Sequence, residues 1–246
     1  MTPPASPPAV LATPLNATAA VALTRLLHLG STMLPIGAYS YSQGLEWAIE
    51  SGVVGDRVTA ECWIHGCLRH SLARFEAPLL VAAWRAWQRG DDEECLRLNQ
   101  RLIATRESRE LLAETLQLGY SLRQWCADAE PLDAGWRARL ARIETPAYPV
   151  VFAAVAAAWG LDAASMVTVY LWSWLENQVS AALKGVPLGQ TDGQRLLLAG
   201  APLIDALAAE IVARSDAGGA QWTTQCPGLA IASACHEVQY SRLFRS

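Results

Sequence analysis

Lysine is almost missing from this chain: of its 19 basic residues all but Lys184 are arginine. A phosphate-binding P-loop needs a glycine-rich run that ends in Lys followed by Ser or Thr. Lys184 is followed by Gly185, so the chain is not itself a P-loop NTPase. Basic charge is short overall, with a net charge of −4. That balance excludes a nucleic-acid protein whose affinity rests on neutralising phosphates. Long apolar runs are lacking as well. The longest uninterrupted one, residues 150–159, falls short of the roughly 20 residues a spanning helix needs, and no membrane association is expected. The N-terminus has neither the basic start nor the apolar core of a signal peptide. Six cysteines (Cys62, Cys67, Cys95, Cys126, Cys226 and Cys235) are scattered with no compact disulfide spacing, which suits a reduced cytoplasmic chain.

What the chain does have is apolar content, 52% of 246 residues, enough to bury one sizeable core. Five prolines among the first fourteen residues read as a flexible lead-in, residues 1–20. After it, almost every segment carries the 3.6-residue period of a helix. Leu111, Thr115, Leu118, Leu122 and Trp125 recur at spacings of four and three within 104–127, and Met166, Tyr170, Trp174 and Val179 follow at spacings of four, four and five within 163–182. Asp56, Asp91 with Asp92, and Asp162 are placed to cap helices over about 57–73, from 93, and over about 163–184. Glycines and prolines punctuate the gaps, and no alternating strand pattern or fixed-period repeat is found. The expected fold is all-α: a single helical bundle over 21–235 followed by a tail, residues 236–246.

Four segments could carry chemistry. The first, residues 30–44, breaks two helical stretches with three glycines and Pro35; Ser42 is placed to cap the next helix, and Tyr39 and Tyr41 to form a partner surface. The second contains Cys62, His65, Cys67 and His70. On one helix these spread over about 200° of arc, so they cannot all aim at one ion. The third is Arg106-Glu-Ser-Arg-Glu110 followed by Glu114, read either as a solvated face with an i,i+4 pair between Arg106 and Glu110 or as a charged docking stripe. The fourth couples the 184–195 linker to a C-terminal tail in which Tyr240, Leu243 and Phe244 alternate with Arg242 and Arg245. Such a tail either docks on its own domain or binds a partner, and the partner is favoured. Cys235 and His236 set a thiol beside an imidazole, with Cys226 nearby in sequence, but two adjacent side chains do not complete a metal site. No base stands beside a nucleophile and no Glu-x-x-His pair occurs, so a helical hydrolase and a metal-storage bundle both lack their signatures.

Together these segments resemble the UreF family of urease accessory proteins. The strings that carry the resemblance are LLHLGSTMLPIGAYSYSQGLEWAIESG (26–52), TRESRELLAETLQLGYSL (105–122), VSAALKGVPLGQTDGQRLL (179–197) and HEVQYSRLFRS (236–246), in the family's order. The resemblance implies an all-α homodimer that works as a non-catalytic scaffold in urease maturation. It implies three partners: UreD (also called UreH), the nickel-carrying GTPase UreG, and the urease apoenzyme, to which nickel is delivered as cargo. It implies no resident cofactor. Tyr240, Arg242, Leu243, Phe244 and Arg245 fall on the family's C-terminal motif, which docks on UreD. Lys184 is the candidate contact for UreG. Tyr39, Tyr41 and Gln43 fall on the first signature, in a structural or docking role. The chain departs from the family pattern at Ala230 and Cys235. The rival within the binding class is a GTPase-activating protein that supplies an arginine to UreG in trans.

Overall fold

A computed structural model describes residues 17–215, 222–223 and 226–246. Residues 1–16, most of the stretch read as a flexible lead-in, lie outside the described residues. The described chain is helical throughout: α1 (Ala17–Leu29), α2 (Leu45–Glu50), α3 (Arg57–Cys67), α4 (Ala77–Arg89), α5 (Asp92–Ala104), α6 (Arg109–Asp128), α7 (Ala134–Ala141), α8 (Tyr148–Ala158), α9 (Ala163–Gly185), α10 (Gln190–Ser215) and α11 (Pro227–His236). No strand occurs among the described residues. Helix α1 begins inside the stretch read as the lead-in.

The centre of the bundle is α8. Every residue from Pro149 to Ala157 is buried, so this helix is apolar on all sides, as a helix surrounded by others must be. It packs between α4 and α6, while α9 and α10 pack along one another and close the bundle from the other side. Small residues set the close approaches. A Cβ at Gly119 of α6 would stand 2.1 Å from the Pro146 carbonyl oxygen, and one at Gly200 of α10 would stand 2.4 Å from Leu175 of α9. The Trp87 indole donates to the Val150 carbonyl at 3.0 Å, satisfying its only polar group inside the core. Helix α10 is long and apolar enough to cross a membrane by length and composition; here Leu196, Leu203, Ile204, Leu207 and Ile211 are buried against its neighbours.

The aspartate caps stand where spacing placed them. Asp56, Asp91 and Asp162 accept from the amides of Thr59, Glu94 and Ser165. Asp92 is not a cap but a first-turn residue, and its carboxylate binds Arg139 and Arg142, each at 2.7 Å. The helix expected over 57–73 is α-helical only to Cys67. It continues as a π-helical stretch from Leu68 to Glu76, where the Ala77 amide reaches back five residues to the Leu72 carbonyl. Widening the turn there swings Glu76 inward, where it meets Tyr170 and Arg106. The expected helix over 104–127 begins instead at Arg109, capped by Ser108. Arg106 therefore lies before the helix, and the i,i+4 pair with Glu110 does not form.

Candidate functional site

The first loop, residues 30–44, carries the geometry that makes a site. Gly37 and Gly44 take left-handed backbone at φ 78°, and Gln43 does so at φ 53° in spite of its side chain. A non-glycine residue in that region is held there by its surroundings. Gln43 is gripped at both ends of its amide: the Trp174 indole donates to its oxygen at 2.7 Å, and its nitrogen donates to Glu114 at 2.8 Å. Gly44 is needed for a second reason, because a Cβ there would stand 2.8 Å from the Ser233 backbone nitrogen of α11. Gly44 occupies the cap position, but the Ser42 hydroxyl still accepts from the Glu46 amide in the first turn of α2 at 3.3 Å. The Ser42 hydroxyl donates to the Ser246 carbonyl, and the Ser42 amide donates to the same oxygen at 2.6 Å.

Against this loop the last residues of the chain are docked, and three carboxylates organise the docking. Glu46, in the first turn of α2, accepts the amides of Leu243 at 2.6 Å and Phe244 at 2.9 Å. Glu110 accepts from Arg242 at 2.8 Å. Between the two lies His236, fully buried, with Nδ1 2.6 Å from Glu110 and Nε2 3.0 Å from Glu46. Glu114 accepts from the Ser246 hydroxyl at 3.2 Å. Glu237 adds an outer clamp on Arg109, through its amide at 2.7 Å and its guanidinium at 2.9 Å. Buried carboxylates are costly unless every lone pair is used. Here backbone amides, an imidazole and guanidinium groups use them. Ser108 and Ser233 share a further buried hydrogen bond at 2.6 Å, tying α6 to α11.

Beneath the tail is a cavity of about 120 Å³ between the first loop and helices α6, α8 and α9. Glu76, Arg106, Glu114, Tyr148 and Tyr170 give it a polar wall. Burial pushes Glu114 up to about 7, against the bonds from Gln43 and Ser246 and the charge of Arg106, which favour its ionised form. Burial also raises the phenols of Tyr148 and Tyr170 above their ordinary range. Arg106 and Glu76 pair inside this wall, so the charge of Arg106 serves the interior and not a solvated face.

The structure distributes the sequence-predicted residues between anchor and surface. Phe244 is buried and Tyr41 is buried, its phenol raised chiefly by burial and partnered by Arg245. Tyr39, Tyr240 and Leu243 present exposed rings and methyl groups, and Arg242 is partly exposed beside Glu110. Lys184, exposed at the end of α9, sets its Nζ 5.3 Å from the centre of the Phe244 ring. Two segments sixty residues apart are thus one surface, with Ile231 and Val238 exposed on the same C-terminal region. Of the two readings of the tail, the structure displays docking on its own domain. Of the two readings of the 106–114 stripe, each holds for part of it: Glu107 and Arg109 stay exposed, while Glu110 and Glu114 are where the chain's own tail docks. Among the described residues no three His, Cys, Asp or Glu side chains converge as metal ligands. His236 is engaged by its two carboxylates. Glu46 and His236 were missed as a pair because nothing in a single sequence links positions 190 residues apart.

Comparison with known proteins points to one group. The family model described as UreF matches residues 54–201. The protein named urease accessory protein UreF from Azoarcus sp. (strain BH72) is 53% identical over 226 residues, covering 91% of this chain and 95% of that one. Its namesake from Dechloromonas aromatica (strain RCB) is 48% identical over 229 residues, with 91% and 97% covered. That from Methylobacillus flagellatus is 46% identical over 224 residues, with 91% and 97% covered. A match to the family model over more than half of the chain and relatives of this closeness over nine-tenths of it, on a helical bundle with no strand among the described residues, place the chain in the UreF family of urease accessory proteins.

Proposed function

We propose that this chain is a scaffold that bridges UreD (UreH) and the GTPase UreG and so helps deliver nickel to the urease apoenzyme, acting as a cytoplasmic homodimer and without catalysis of its own. Family membership carries the general role in urease maturation. The observation that favours bridging is the single surface made by Lys184 and the tail: Tyr240 and Leu243 supply apolar area, while Lys184, Arg242 and Arg245 supply charge. Aromatic and arginine side chains on a rigid base are the residue types that dominate binding energy at interfaces. The base is rigid because the backbone beneath them is already bonded to Glu46 and Ser40. The first signature contributes a neighbouring groove in which Tyr39, Tyr41 and Arg245 face Met33 and Gln117.

Co-expression with tagged UreD and UreG, followed by size-exclusion chromatography with light scattering, tests this reading. A ternary complex with two copies of each subunit is expected. Lys184→Ala is expected to weaken UreG recruitment while leaving UreD bound. A chain that elutes alone in the presence of both partners would overturn the reading, and equal loss of both partners in Lys184→Ala would make Lys184 a support for the Phe244 anchor instead of a contact.

A further inference from the structure

Two cysteines far apart in sequence meet where α11 begins. Cys67 is the last residue of α3 and is buried; Cys226 precedes the first turn of α11 and is half-buried. The two thiols are hydrogen-bonded to one another. Neighbouring contacts fix the same approach independently: the Thr223 amide donates to the Arg74 carbonyl at 3.2 Å, and the Trp222 ring stands edge-on to Phe75 with centroids 6.3 Å apart. Trp222 and Thr223 thus lie against the π-helical stretch 68–76, which follows directly on Cys67.

We propose that Cys67 and Cys226 form a dithiol modification site that a small-molecule disulfide converts to an intramolecular disulfide, stapling the start of α11 to the end of α3. Their roles differ. Hydrogen bonding from Cys67, with help from the Leu229 amide, draws the Cys226 thiol well below its ordinary range, and the same bond together with burial keeps Cys67 protonated. Cys226, reachable and thiolate-rich, is the attacking sulfur. It attacks one sulfur of the oxidant R–S–S–R, forming a Cys226–S–S–R mixed disulfide and expelling R–S⁻. Cys67 then gives up its proton, attacks the Cys226 sulfur and expels the second R–S⁻. Two protein thiols are oxidised, one small disulfide is reduced, and the two leaving thiolates end as two R–SH after protonation. The two sulfurs close from hydrogen-bond contact to about 2.05 Å. The remaining cysteines lack this arrangement: Cys95 and Cys126 are buried, with burial pushing each thiol up to about 12, and Cys62 is exposed with no resolved thiol partner.

The test uses the full chain treated with oxidised glutathione, quenched with acid and digested without reduction for mass spectrometry. A peptide linked through Cys67 and Cys226, with two hydrogens lost and no glutathione retained, is expected to dominate, and dithiothreitol should reverse it. The closed loop spans most of the chain, so the melting temperature should rise on oxidation and return on reduction. Cys67→Ala should leave Cys226 carrying glutathione with no linked peptide. A lasting glutathione adduct on Cys226 of the unmodified sequence, with Cys67 free, would overturn the proposal. So would cross-linking that runs mainly through Cys62 or Cys235.

Discussion

At the scale of single residues, Glu114 sets a pH dependence. Its folded value near 7 lies above the ordinary carboxyl range, so the folded state binds this proton more tightly than the unfolded chain does. Below about 4.5 both states are protonated and Glu114 adds no penalty. As pH rises from there to about 7, the unfolded chain gives up its proton first and stability declines. Above about 7 the penalty is constant, of the order of 3–4 kcal/mol. Glu114→Gln keeps the shape and an acceptor for Gln43 while removing the charge. Its melting temperature is expected to exceed that of the parent at pH 8, with the difference closing towards pH 4.5. A gap that does not change with pH would place the titration elsewhere. His236 poses the opposite case, because it removes a cost that already exists. With His236→Ala, Glu46 and Glu110 would face each other across a buried gap, and a loss of about 3 kcal/mol on denaturant unfolding is expected.

At the scale of elements, close backbone approach decides which substitutions fail. Gly119 lets α6 lie against the turn that opens α8, and the atom a Cβ would strike is a carbonyl oxygen, which cannot swing aside. Gly119→Ala is expected to cost about 2–3 kcal/mol, read as a lower urea midpoint with little change in helical circular dichroism. Ala at Gly66, where a Cβ meets nothing, is the matched control. The helices themselves were legible because their signals are local: three aspartate caps and two runs of period 3.6 each sit within a few residues of what they define. The π-helical stretch was not legible, since Leu68, Leu72, Ala73 and Phe75 fit an α-helical face until the wider turn has moved Glu76 into contact with Tyr170. Arg106 was misplaced for a related reason. Its nearest acid in sequence is Glu107 and its i,i+4 acid is Glu110, but its partner is Glu76, thirty residues away. Composition singled out the tail residues, yet composition does not tell an anchor such as Phe244 from an outward group such as Tyr240.

At the scale of the whole molecule, the tail acts as the bundle's last packing element. Removing residues 237–246 would take two amides from Glu46, a guanidinium from Glu110 and a hydroxyl from Glu114, and would expose the Phe244 site. The core around α4 and α8 would keep its own packing. The truncated chain is expected to keep its far-ultraviolet spectrum but melt at lower temperature, with a loss of about 3–5 kcal/mol. An unchanged melting temperature would show that the tail contributes nothing to the bundle. Glu46 holds Leu243 through its amide and leaves that side chain in solvent. A lock that grips main chain is blind to the lettering on the other side. Residues 240 and 243 are therefore free to drift with whatever surface they meet, at no cost to folding, and the change the lock would refuse at 243 or 244 is proline, which has no amide to offer.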